Sequence, residues 1–290
     1  IYMDLVEKIR VLNNHLKAKN FNKVIEGGRK ILKKIPKNDY LLNLIGMAYQ
    51  GRSQHLNSIN YFKEALKYNV ENIPAMNNYA NSLKAIGKFE SAQELYQKIL
   101  KINPKYINAY NNYANLKTLY NDYKGAIELY KKAISLVKEN ENMPASSSVG
   151  LMFSLAVSYQ SNNQFKETKE LIKEILLIDP FHAGAHKLKS SIFKYSLEDK
   201  NSIDHLEQME KINNDKETNN EKKIDIFFSL GKAHEDLKNF DKAFKYLKEA
   251  NQLRYQKFGS NLENEKKLFK NILKTFETIN FENINKDIPS

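Results

Sequence analysis

The feature that most constrains this chain is a pattern that recurs every 34 residues. Pro36 and Pro104 stand 68 residues apart, twice that interval, and Asn69-Val70-Glu71 with Ile73-Pro74 marks the boundary between them. A unit of this length holds two short helices and a turn. One such pair cannot hide its apolar face alone, so it must stack on its neighbours. On this period the repeats fall near 5–38, 39–72, 73–106 and 107–140. An insertion from Glu141 to Ser148 shifts the frame; the pattern then resumes at 149–182, degrades over 183–216 and returns at 224–257.

The positions that repeat are those where two helices must touch. The first helix of each unit carries a small residue: Gly46, Ala80, Ala114, Ala156 and Gly231. Small size there allows the partner helix to cross at close range. The second helix opens on another small or short residue, Ser58, Ala92, Ala126, Thr168 and Ala243. Four residues on comes a large filler, Phe62, Tyr96, Tyr130, Ile172 and Leu247, and three further on Ala65, Ile99, Ala133, Ile175 and Ala250. Pro36, Pro104 and Pro180 punctuate helix ends, because proline cannot donate the next helical bond. Gly87-Lys88, Asn121-Asp122, Asn162-Asn163 and Lys238-Asn239 are the expected turns between helices. Period and positions together resemble the tetratricopeptide repeat (TPR). The resemblance implies an all-α fold, a right-handed TPR superhelix (an α-solenoid) of about seven hairpins over 1–258. Residues 259–290 read as a terminal helix, with Leu268, Ile272 and Phe276 on one face from Leu262 to Phe276, and a connector from Phe281 to Ser290 leading to a missing domain.

Composition narrows the function. The absence of cysteine excludes disulfides, thiolate zinc sites and a cysteine nucleophile, and fits a reducing cytoplasm. No apolar run approaches the roughly 20 residues a membrane helix needs, and no signal peptide is visible at the start, so a cytoplasmic location is expected and no membrane partner. A start at Ile1 suggests a piece cut from something longer. The formal charge is +12, but much of it alternates in sign along helices, as in Glu128 with Lys131 and Lys132. That pattern marks solvated helix faces, and without an arginine patch nucleic acid is not the expected partner. Gly27-Gly28-Arg29-Lys30 lacks the spacing of a phosphate loop. His182 and His186 are four apart, as helical metal ligands would be, but no third ligand accompanies them, and they read as ordinary helix-start histidines. No catalytic, cofactor or metal residue is assigned.

One polar pattern stands out. Asn43, Asn77 and Asn111 share one repeat position; Asn78 and Asn112 share the next, and Asn81 and Asn115 lie one helical turn on. Residues four apart share a helix face. The first helix of a TPR lines the concave groove, so these amides are expected to form a ladder there. A carboxamide both donates and accepts, which suits the backbone of an extended peptide. The arrangement resembles the asparagine ladder of the O-GlcNAc transferases.

The C-terminal half carries a narrower resemblance. The stretches Asp204 to Ile212, Phe227 to Leu237 and Asn239 to Arg254 are similar to the last repeats of bacterial TPR–sulfotransferase fusion proteins. That resemblance implies a parent enzyme using the sulfonate donor PAPS, with this array recruiting or orienting an acidic protein or peptide acceptor. The family's donor-binding loop and catalytic residues are absent from these 290 residues. A free-standing TPR adaptor or scaffold, or the TPR region of a glycosyltransferase, are the alternatives, since a fold does not determine a function.

Overall fold

The computed structural model describes residues 2–259; the terminal helix and connector expected beyond Leu262 lie outside the described residues. Among the described residues every regular element is helical. They gather into two compact units that divide after His182. The first unit holds five hairpins: α1 (Tyr2–Lys17) with α2 (Phe21–Leu32), α3 (Asp39–Gly51) with α4 (His55–Tyr68), α5 (Ile73–Ala85) with α6 (Phe89–Ile102), α7 (Ile107–Leu119) with α8 (Tyr123–Lys138), and α9 (Val149–Ser161) with α10 (Phe165–Ile178). A single 3-10 turn, Ala145–Ser148, occupies the end of the insertion. The second unit holds α11 (Ala183–Ile192), α12 (Lys200–Asn214), α13 (Asn220–Asp236) and α14 (Phe240–Phe258).

Every regular hairpin turns in the same way. One residue between its helices adopts left-handed backbone: Lys19, Ser53, Gly87, Asn121, Asn163 and Lys238, with φ between 58° and 78°. The residue after it donates its N–H to a carbonyl five residues back, as in Gln54 to Tyr49, Lys88 to Leu83 and Asp122 to Lys117 (2.9, 2.9 and 3.0 Å). This closure satisfies carbonyls left over at the end of the first helix and reverses the chain. Only Gly87 adopts this conformation without a steric cost; a side-chain-bearing residue meets a penalty of about 1–2 kcal/mol there. The packing of two helices therefore has to outweigh the strain of their turn.

That packing is the small-to-large interlock. Ala80, Ala114 and Ala156 are fully buried, as are the fillers Phe62, Tyr96, Tyr130 and Ile172. Gly46 shows how tight the fit is: a Cβ there would lie 2.4 Å from Cε1 of Phe62. The first hairpin achieves the same closeness with the sizes exchanged. Leu12 stands at its small position, and the glycines are on α2, where a Cβ on Gly27 would lie 2.7 Å from Leu12 Cδ2.

In the second unit, α11 and α12 do not use this interlock. Their core contains a chain of polar side chains instead. Ser190 Oγ meets the Tyr195 hydroxyl at 2.8 Å, that hydroxyl meets His205 Nδ1 at 2.6 Å, and His205 Nε2 meets His186 Nδ1 at 2.9 Å. All four residues are buried. His186 does lie in the first turn of α11, and it is also a core residue: its partner stands 19 residues on, in the next helix. Among the described residues no cluster of three metal-ligating side chains occurs. Burial, aided by Lys189 and His186, pushes the pKa of His205 down to about 2.

Two outcomes are expected from this packing. Gly46→Ala should lower unfolding stability by about 1–2 kcal/mol, because overlap with a fully enclosed ring outweighs the ~1 kcal/mol helix-propensity gain. Urea titration measures it, and Phe62→Leu should relieve it. The second concerns pH. Unfolded, His205 titrates near 6.5; folded, it stays neutral down to far lower pH, so below about pH 6.5 the unfolded chain binds a proton that the folded one cannot. Hydrogen exchange should show α11 to α13 losing protection from pH 7 to pH 5 after correction for intrinsic rates, and His205→Gln should flatten that dependence.

Candidate functional site on the first helices

In the first unit the equivalent helices that touch from hairpin to hairpin are the first ones: α1 meets α3, α3 meets α5, and α5 meets α7. That puts the first helices on the inner side of the stack, and the asparagines lie on them. Asn43 and Asn77 are buried, and Asn78, Asn81, Asn111, Asn112 and Asn115 are half-buried.

These amides are used in two repeating ways. Asn78 Nδ2 donates to Asn43 Oδ1 at 3.0 Å, and one repeat later Asn112 Nδ2 donates to Asn77 Oδ1, again at 3.0 Å. Each bond ties one first helix to the next. Asn81 and Asn115 are tied inside their own hairpins: the Tyr96 hydroxyl donates to Asn81 Oδ1 at 2.7 Å and the Tyr130 hydroxyl to Asn115 Oδ1 at 2.6 Å. Burial pushes the Tyr130 phenol up to about 12 and shifts Tyr96 in the same direction, so both remain O–H donors. With their oxygens held, Asn81 and Asn115 keep their Nδ2 hydrogens for another acceptor. Asn111 makes no side-chain hydrogen bond among the described residues, because the residue one step beyond Asn112 in the array is Ser154, which donates to its own helix at Gly150 O.

The row that contains Asn81 and Asn115 reads Met47, Asn81, Asn115, Val157 along α3, α5, α7 and α9. Two amides stand in the middle, with an apolar side chain at each end. Neighbouring rows add Tyr40, whose hydroxyl donates to Asn13 Oδ1 at 3.0 Å, and Phe153, which packs on the His182 ring at 4.9 Å.

A family model of the tetratricopeptide repeat matches residues 71–139, and another matches 224–257. The chain carries tetratricopeptide repeats. A TPR protein from Parabacteroides merdae is similar in structure, with a TM-score of 0.61 at 17% identity over 92% of this chain and 98% of that one. PilF of Pseudomonas aeruginosa is similar at a TM-score of 0.57 and 14% identity, covering 80% and 97% of the two chains. At such identities the likeness is one of fold. No curated protein matches the sequence significantly.

The TPR hairpins at 39–138 bring together all seven asparagines of the sequence pattern. What the pattern alone misses is the role of Tyr96 and Tyr130, which read there only as core fillers. A signal does exist. Fifteen residues separate each first-helix position from its filler, and the pairs are Met47–Phe62, Asn81–Tyr96, Asn115–Tyr130 and Val157–Ile172. A hydroxyl appears only where the partner is an amide. Tyr130→Phe should therefore lower stability by about 1 kcal/mol, since it leaves the Asn115 carbonyl without its donor. Pairing it with Asn115→Val, the combination α9 and α10 approximate, should recover most of the loss in a double-mutant cycle.

Proposed function

We propose that the inner face of the TPR hairpins at 39–138 binds an extended peptide or an unstructured protein segment. The observation that carries this reading is that Asn81 and Asn115 stand in equivalent positions one repeat apart, each with its carbonyl held by a tyrosine and its N–H groups left to donate. Two donors in register suit the regularly spaced carbonyls of an extended backbone, and the flanking Met47 and Val157 suit apolar side chains. No reacting group is needed for this, and it is binding chemistry throughout.

A finer reading has the module recruit an acceptor for a PAPS-dependent sulfotransferase. It is supported by the resemblance of Asp204 to Arg254 to TPR–sulfotransferase fusions, whereas the asparagine face is equally suited to a free-standing adaptor. PAPS binding by the natural gene product separates the two.

The groove reading is tested with peptides selected on the intact chain. Changing Asn81, Asn111 and Asn115 together to Ala should weaken the selected peptides at least tenfold, taking about 0.5–1.5 kcal/mol for each lost hydrogen bond. Asn77→Ala in the same background should weaken them further but also lower stability. Fluorescence anisotropy reads the affinity, with circular dichroism reporting that the helices persist. Unchanged affinity in the triple variant ends the proposal.

A further inference from the structure

Charge is divided sharply between the two helices of these hairpins. No Asp or Glu occurs in α5, α7 or α9. In α3 the sole acid is Asp39 at its first position, and Asn69 and Asn72 both donate to its Oδ2, at 2.7 and 2.8 Å. The second helices carry acids freely, with Glu64 on α4, Glu94 on α6, Glu128 on α8 and Glu170 on α10. The inner face thus lacks anionic side chains across four consecutive hairpins.

It does have a cation. Lys84 lies on α5 three residues beyond Asn81 and seven beyond Asn77, on the same face. It is half-buried and has no ion pair or hydrogen bond among the described residues, and burial alone lowers its pKa from the usual lysine range. The equivalent residues in neighbouring repeats are occupied: Gln50 donates to Asn78 O and Ser82 Oγ at 3.2 and 3.1 Å, and Thr118 donates to Asn115 O at 2.8 Å. Lys117, the other lysine of these first helices, is paired with Asp122 at 3.0 Å. A partly desolvated ammonium without a counter-charge is unfavourable in the free protein, and a ligand that supplies one offsets that cost on binding.

We infer that the inner face selects an extended peptide carrying an Asp or Glu side chain, and that Lys84 is the residue that takes its carboxylate. This rests on the peptide-groove reading above and adds the class of ligand. The side chain, not a terminal carboxylate, is the source, because inner-face positions continue on both sides of Lys84, with Asn43 and Met47 before it and Asn111 and Asn115 after it. The donors of Asn81 and Asn115 hold the backbone while Lys84 reads one position. Cationic residues in that register are rejected by like charge.

The test is selection of short random peptides on the intact chain, followed by affinities of the selected sequences made with amidated C-termini. Enrichment of Asp or Glu at one register is expected, with about tenfold weaker binding when that residue becomes Asn or Gln or when Lys84 becomes Gln. Lys84→Glu should switch the preferred residue at that register to Lys or Arg. Lys84→Gln removes an unpaired charge and should melt no lower than the parent, so lost binding would not reflect lost folding. Peptides that need Asn81 and Asn115 but show no acidic preference, or one that Lys84→Glu leaves intact, overturn this inference and leave the groove standing. Binding only of free-acid peptides overturns the side-chain source. Selected peptides indifferent to the asparagines overturn both readings.

Discussion

Each regular hairpin depends on one close approach of a small residue to a large one. From α3 on, the small residue of the first helix receives the filler of the second, and in the first hairpin the sizes are exchanged. Gly46 against Phe62 shows the limit, where even a methyl group would overlap the ring. With that approach made, two helices shield each other's apolar sides well enough to hold a strained left-handed turn residue at Lys19, Ser53, Asn121, Asn163 and Lys238. Dispersion and burial at such contacts are short-ranged, so the loss of one methyl's worth of fit is felt throughout the hairpin. Within the first unit the stack then follows, because each hairpin buries its remaining apolar face on the next.

The same contact builds the candidate site. Tyr96 and Tyr130 fill the space beside Ala80 and Ala114, and filling it carries their hydroxyls to Asn81 and Asn115. A core residue thereby orients a surface residue, and the amide hydrogens face outward because the oxygens are held from beneath. Asn43 with Asn78 and Asn77 with Asn112 add a second set of bonds from helix to helix. These bonds make the inner face a fixed array instead of a set of freely rotating side chains, which lowers the entropy lost when a ligand binds. Fold and the proposed recognition draw on the same residues, since those that hold the helices together also aim the donors.

The second unit shows what happens where the interlock is not used. In α11 and α12 the polar chain of Ser190, Tyr195, His205 and His186 takes the place of the small-and-large pairs. Such a chain is favourable only when every member is satisfied, which demands directional bonds where the regular hairpins need shape alone. This is why the 34-residue pattern fades over 183–216 although the segment is still a pair of helices. His234 in α13 is the exception to satisfaction: it is buried, stacked on Tyr246 at 5.6 Å, and neither ring nitrogen has a partner among the described residues. Burial accordingly lowers its pKa from the usual histidine value.

The period, the helical hairpins and the interlocking positions were determined by the sequence itself, because burial of apolar area is non-directional and leaves a periodic trace in one dimension. The asparagine pattern was visible for the same reason: its members recur at 34 residues on one helix face. Tertiary structure alone decided which of those amides remain available, since a hydrogen bond depends on ångström distances between groups 15 or 35 residues apart. Asn81 and Asn115 are oriented by tyrosines of the second helix; Asn43 and Asn77 are tied to the next repeat. His186 is a helix-start residue, and only the packing shows that it is buried against His205. Lys84 is one of many lysines in the sequence, and only the packing of α5 among its neighbours leaves it half-buried without a counter-charge.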